Sequence, residues 1–198
     1  MSYYDLEAAR VAEEVRRRGA KVVVIQAPDG LKSELNGLYR ALAEGGARPV
    51  ISADPCYGGC DLALPEASLL GADLLVQIGH SRFDDAAGRV PVLYVEARHL
   101  PGIGSLSEKA ASRLKEGGVK RVGLLTNIQH RAYLGELRRG LEAAGLETAV
   151  DEATGGLVLG CRVEAARSLE GKVDAFLYLG GGDFHALGAA MAVEKEVY

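Results

Sequence analysis

The feature that most constrains this chain is an internal repeat. Cys60 lies 13 residues before Asp73, which opens an apolar run ending in Gly79. Cys161 lies 13 residues before Asp174, which opens a run ending in Gly180. The offset is 101 residues at all three points, too long for a solenoid, whose repeats run ~20–50 residues, and it implies a duplicated domain. The run Lys21-Val22-Val23-Val24-Ile25 likewise has a counterpart in Lys120-Arg121-Val122-Gly123-Leu124. With 48% apolar residues in 198, each half can bury a core of its own. The expected units are 1–102 and 103–198, hinged in the Gly/Pro/Ser stretch at 101–105.

Within the first unit the periodicity alternates between helix and strand. Residues 5–18 carry apolar positions at helical spacing, and Gly19 is placed to cap them. The β-branched run 21–25 reads as a buried parallel strand. Pro28-Asp29-Gly30 breaks it, and helical spacing resumes over 31–43. A strand near 49–52, a helix over 61–70, and strands at 73–78 and 91–95 follow. This alternation predicts an α/β fold of duplicated parallel-sheet domains with right-handed crossovers.

Composition excludes several classes of function. The apolar content and net charge of −4 exclude a disordered chain. No apolar run approaches the ~20 residues of a membrane span, and the charged start does not resemble a signal peptide. Interleaved acids and bases argue against a phosphate-backbone binder, and zero Trp with three Phe against a single-strand stacking platform. The expectation is a soluble cytoplasmic protein with no membrane and no direct nucleic-acid partner.

Three cysteines, Cys56, Cys60 and Cys161, make a poor disulfide framework. A cysteine in a reducing compartment serves as core filler, nucleophile or metal ligand. The repeat favours the last for Cys60 and Cys161, each read as opening a helix at the carboxyl end of a parallel sheet, where ligands bind. Iron–sulfur clusters usually take more than two thiolates, so two equivalent cysteines imply a third unit. Residues 195–198 are read as the place where that unit's first strand would begin.

The motifs themselves are familiar. Ala53-Asp54-Pro55-Cys56-Tyr57-Gly58-Gly59-Cys60-Asp61 resembles the Tyr-Gly-Ala-Cys-Asp signature of the iron–sulfur enzyme family that begins diphthamide synthesis. Gln26-Ala27-Pro28-Asp29-Gly30-Leu31, Gly79-His80-Ser81, Gln129-His130, Val158-Leu159-Gly160-Cys161 and Phe184-His185-Ala186-Leu187-Gly188 are similar to that family's motifs in the same order. The resemblance implies three homologous α/β domains, each giving one cysteine to a single 4Fe-4S cluster, of which this chain matches the first two. It implies an unusual radical cleavage of S-adenosylmethionine. The 3-amino-3-carboxypropyl group then passes to a histidine of translation elongation factor 2. It further implies a homodimer served by an electron donor.

Carried over residue by residue, Cys60 and Cys161 are the implied cluster ligands. Cys56 falls outside the ligand position; it is incidental, or pairs with Cys60 across the C-x-x-x-C spacing. His80 and His185 are the candidate catalytic histidines. Asp29, Gly30, His80, Gln129 and Gly180-Gly181-Gly182 are the candidate contacts to adenosylmethionine. For Asp29 and Gly30 the alternative is a helix N-cap with its turn glycine, and for the histidines, including His130, a structural role in satisfying loop carbonyls. Gly58 and Gly59 suit either a close backbone approach or a tight turn. The triple glycine lacks the spacing of G-x-G-x-x-G or of a Walker loop. The competing enzyme is a quinolinate synthase-like protein, also built from three α/β domains around one cluster. The non-enzymatic alternative is a cluster-binding partner subunit.

Overall fold

The computed structural model describes residues 3–83 and 90–198. The chain divides into two compact units, Met1–Leu100 and Pro101–Tyr198.

In the first unit, β2 (Val22–Gln26) is central to a four-stranded parallel sheet. Its neighbours are β3 (Arg48–Ile51), β4 (Leu74–Ile78) and β5 (Val92–Val95), in the order β3-β2-β4-β5. Successive side chains of a strand point to opposite faces, and the core divides accordingly. Val23, Ile25, Leu74, Val76 and Ile78 pack on the apolar stripes of α1 (Ala8–Arg18) and α3 (Asn36–Glu44). Val24 and Leu75 face Ala63 and Ala67 on the side of α4 (Leu64–Leu69). Burying a side chain such as Ile25 or Leu74 in full stabilises by about 1.5–3 kcal/mol. The continuous apolar runs are thus the mark of strands covered on both faces.

The second unit repeats the plan. A parallel sheet of order β8-β7-β9 is formed by β8 (Glu147–Ala149), β7 (Arg121–Thr126) and β9 (Ala175–Leu179). Val122, Leu124, Ala175 and Leu177 face α5 (Leu106–Glu116) and α6 (Leu134–Ala143). Leu125 and Phe176 face α7 (Glu164–Leu169) and Ala189 of α8 (Phe184–Ala190). Of residues 195–198, expected to begin a further unit's first strand, residues 196–198 instead pair with this sheet. Phe176 N donates to Glu196 O, and Tyr198 N donates to Phe176 O. The parallel bridge Phe176–Val197 occupies the place that β5 holds beside Leu75 in the first unit.

Other elements depart from expectation for local reasons. Tyr4–Asp5 is not helical but forms a short strand, β1, antiparallel to β6 (Arg98–His99). The helix starts only at Ala8, after Glu7 in the left-handed region at φ 53°. Gly19, at φ 65°, ends α1 as expected, its N–H returned to Arg16 O. The helix expected over 31–43 splits into α2 (Asp29–Lys32) and α3. The helices expected from Cys60 and Cys161 begin later, at Leu64 and Glu164, so both cysteines lie in turns that precede a helix.

Asp73 and Asp174 show how deep the repeat goes. Asp73 Oδ2 accepts from the N–H groups of Lys21 and Val22 at 2.7 and 2.9 Å. Asp174 Oδ2 accepts from those of Lys120 and Arg121 at 2.9 and 2.8 Å. Each carboxylate ties the entry of one central strand to the next, and these backbone bonds hold both groups below the usual aspartate range. A carboxyl with a lowered folded-state pKa stabilises above its unfolded value and loses that contribution as pH falls through the folded value. Asp73→Ala or Asp174→Ala should therefore lower the thermal midpoint at neutral pH. In melts taken progressively below the unfolded value of ~3.9, variant and parent should converge.

Candidate functional site

Both cysteines singled out by the repeat lie on loops at the carboxyl end of their unit's sheet, and both are exposed and free. In the first unit the loop 52–63 joins β3 to α4. It is pinned from two sides. Gln26, the last residue of β2 and 3% exposed, donates from Nε2 to Asp61 O and accepts at Oε1 from Ala63 N, both at 2.8 Å. Lys32 Nζ donates to Ala53 O at 2.7 Å and Asp54 O at 2.9 Å, and pairs with Asp29 at 2.6 Å. Asp61 Oδ2 accepts from Tyr57 N, and Asp61 N donates to Gly58 O, which closes the turn carrying Cys60.

Gly59 is needed for close approach. A β-carbon there would land inside the backbone carbonyl of Ser81, so the cysteine loop is seated directly on the His80–Ser81 loop. Cys56 is buried beneath it, with Gln77 Nε2 3.2 Å and His80 Nδ1 3.7 Å from its Sγ. Gln77 Nε2 also lies 3.0 Å from His80 Nδ1. Burial pushes the Cys56 thiol up, against the lowering effect of the Gln77 hydrogen bond.

In the second unit Cys161 occupies the tip of a tight turn in which Leu159 and Arg162 exchange backbone hydrogen bonds at 2.9 and 3.1 Å. Gly160, the counterpart of Gly59, leaves the space that the Phe184 ring fills. A β-carbon on Gly188 would come 2.6 Å from Gly160 O. The Phe184-to-Gly188 motif thus seats the Cys161 turn on α8. His185 stacks edge-on against Phe184 at 5.4 Å, and its Nδ1 is buried with no hydrogen-bond partner among the described residues. Burial lowers its pKa, which favours the neutral imidazole.

The remaining candidates fall at the same sheet ends. His130 precedes a short turn of 3₁₀ helix, Arg131–Tyr133, and its N–H and Nδ1 lie 3.2 and 2.8 Å from Asn127 Oδ1. Its Cε1 would be 3.9 Å from a β-carbon on Gly181. Gln129 is half-buried beside it. Gly180 accommodates the Tyr178 ring, whose hydroxyl pKa is pushed up to about 12 by burial, and Gly182 takes a φ of 70°. Asp29 is not an N-cap: it is the first residue of α2, follows Pro28, and caps nothing with its side chain. Gly30 lies within that helix with open space beside it, so it is no turn glycine.

Gln26 and Gln77 are the residues whose roles sequence reasoning did not reach. Their signal was a single amide in each otherwise apolar strand, VVVIQ and LLVQI. A polar side chain kept at such a position has a hydrogen-bonding task. Replacing Gln26 with Leu strands the Asp61 carbonyl and the Ala63 N–H. The expected loss is about 2–3 kcal/mol, read as a fall in the denaturant midpoint with m unchanged.

Among the described residues no three His, Cys, Asp or Glu side chains are grouped to hold a metal ion. Each unit offers one exposed thiol, a donor type suited to thiophilic metals, and each thiol follows a glycine that allows close packing: Gly59 against the Ser81 backbone and Gly160 against the Phe184 ring.

Comparison with known proteins bears on this arrangement. Residues 27–198 match the family of diphthamide synthesis proteins. The 2-(3-amino-3-carboxypropyl)histidine synthase of Pyrococcus horikoshii is 32% identical over 203 residues, covering 98% of the chain and 57% of that protein. The corresponding enzyme of Methanocaldococcus jannaschii is 26% identical, covering 98% of the chain and 55% of its own length. The crystal structure of Dph2 from Pyrococcus horikoshii with a 4Fe-4S cluster superposes with a TM-score of 0.85 at 31% identity, covering 98% of the chain and 57% of that one. The chain spans about half the length of the curated relatives it matches.

Proposed function

Since the chain belongs to the family of diphthamide synthesis proteins, we propose that it carries the part of a 2-(3-amino-3-carboxypropyl)histidine synthase that supplies two of three cluster thiolates. The observation that carries this reading is the equivalence of the two cysteine turns. Cys60 and Cys161 share an offset with Asp73 and Asp174, lie at the same sheet end, are exposed, and follow a close-packed glycine. Both residues would hold a 4Fe-4S cluster, the third thiolate coming from a further homologous unit. When bound, such a cluster supplies an electron and one iron not held by cysteine, the chemistry needed to cleave S-adenosylmethionine reductively.

The chain's own residues supply position and proton control. Gln26 and Lys32 fix the Cys60 loop, and Gly188 and Phe184 the Cys161 turn. Gly180, Gly181, Gly182, Gln129, Asp29 and Gly30 are the contacts we assign to adenosylmethionine, with Gly30 and Gly181 leaving backbone open to a close ligand. His185, whose pKa burial lowers, has an Nδ1 with no hydrogen-bond partner among the described residues, an atom open to exchange a proton with a bound group. His80 is kept next to the Cys60 loop by Gln77. The acceptor is a histidine of translation elongation factor 2, and the enzyme works as a cytoplasmic homodimer with an electron donor. No described helix is long and apolar enough to cross a membrane.

The test is transfer. With a third unit, iron, sulfide and reductant supplied, label from the carboxypropyl carbons of adenosylmethionine should enter elongation factor 2 on histidine. Unlabelled elongation factor 2, with the cluster in place, would refute the reading. His185→Ala should lower turnover more than thermal stability. Equal loss of both would assign that histidine to structure.

A further inference from the structure

Cys56 is the one thiol that the proposed function leaves without a task. It is 6% exposed, yet its surroundings are polar: Gln77 Nε2 at 3.2 Å and His80 Nδ1 at 3.7 Å. Gln77 itself is fully buried, and its Oε1 has no hydrogen-bond partner among the described residues. Its amide is therefore held for the thiol and the imidazole, at the cost of an unpaired oxygen.

The exposed Cys60 lies four residues on, and the two sulfurs flank Gly58. Cys56 Sγ is 3.9 Å from the Gly58 carbonyl oxygen, and Cys60 Sγ would be 3.3 Å from a β-carbon on Gly58. Residues 52–63 contain neither helix nor strand, so the turn can tighten without unwinding an element.

We propose that Cys56 and Cys60 form a thiol-oxidation site, in which Cys56 resolves an oxidised Cys60 into an intramolecular disulfide. Oxidised glutathione is the oxidant. The accessible Cys60 thiolate attacks it, forming a mixed disulfide and releasing one glutathione thiolate. Cys56 sulfur then attacks Cys60 sulfur and expels the second glutathione, while the Cys56 proton passes to His80 Nδ1 and on to the leaving thiolate. One oxidised glutathione becomes two reduced, and two thiols become one disulfide.

The second unit carries a built-in control. Leu157 stands at the position of Cys56 under the 101-residue offset, so Cys161 is an exposed thiol with no resolving partner in its own turn. The disulfide stands on the first unit's geometry alone. Its consequence, that closure withdraws one cluster thiolate, rests on the proposed function.

The test is redox equilibration of the native, metal-free 198-residue chain in mixed reduced and oxidised glutathione, followed by alkylation and peptide mass mapping. The expected result is a peptide holding Cys56 and Cys60 that lacks two hydrogens, together with a glutathione adduct on Cys161. Cys56→Ala and Cys56→Ser should each convert Cys60 to the adduct, as at Cys161. An unsubstituted chain in which Cys60 carries glutathione and Cys56 remains alkylatable would overturn the proposal, as would a dominant Cys60–Cys161 disulfide. A closed Cys56–Cys60 disulfide in a protein that never holds iron would leave this site standing and remove only its consequence.

Discussion

Gly59→Ala is expected to be among the most damaging single-methyl additions in the molecule. The new β-carbon meets the Ser81 carbonyl, which is backbone and cannot rotate aside. The loop that carries Cys60 must then lift off the His80–Ser81 loop or strain it, at a cost of about 1–3 kcal/mol or more. Gly188→Ala should behave alike, because it meets the backbone of Gly160, whose oxygen lies 2.6 Å away. Gly160→Ala should cost less, since the obstacle is the Phe184 side chain, 70% exposed and able to swing into solvent. Denaturant midpoints should therefore place Gly59→Ala and Gly188→Ala below Gly160→Ala. Equal midpoints for Gly59→Ala and the parent would mean that the two loops are not seated as described.

If Cys60 and Cys161 hold a cluster as proposed, Cys60→Ser and Cys161→Ser should remove it and leave the fold intact. Both side chains are exposed, and neither contributes to a buried core. Stability should change by no more than the ~0.5 kcal/mol usual for surface substitutions. In protein completed by a third unit and reconstituted without oxygen, either change should abolish the broad visible absorbance. Under the proposed function the cluster takes three thiolates, and loss of either one leaves too few to retain it. Cys56→Ala should keep most of that absorbance. Bleaching by Cys56→Ala, with Cys60→Ser still coloured, would move the ligand position four residues back along the loop.

The contrast between these substitutions shows which parts of the architecture a reader of the sequence can recover. The offset linking Cys60, Asp73 and Gly79 to Cys161, Asp174 and Gly180 has its clearest physical basis in the two aspartates, whose carboxylates accept the same pair of backbone N–H groups in both units. The strands are equally plain, since burial on both faces demands nearly continuous apolar runs, broken in Val22–Gln26 and Leu74–Ile78 only by Gln26 and Gln77. Long-range pairing is not written locally. Tyr4–Asp5 looks like the start of a helix until Arg98–His99 comes alongside it. Residues 196–198 look like the opening of a new unit until β9 accepts them as a neighbour. The same holds for the glycines: Gly58 and Gly59 read alike in sequence, yet only Gly59 lies beneath another loop's backbone. Cys56 reads as incidental because its partners Gln77 and His80 lie 21 and 24 residues away.

The proposed function has Cys60 and Cys161 hold a cluster at which S-adenosylmethionine is cleaved and its carboxypropyl group released for transfer. It is tested most directly by the nucleoside released when the completed, cluster-loaded protein meets adenosylmethionine, reductant and elongation factor 2. Methylthioadenosine is the expected product, formed together with a modified histidine and lost in Cys60→Ser and in Cys161→Ser. 5′-Deoxyadenosine as the main product, or methylthioadenosine undiminished by either substitution, would contradict it.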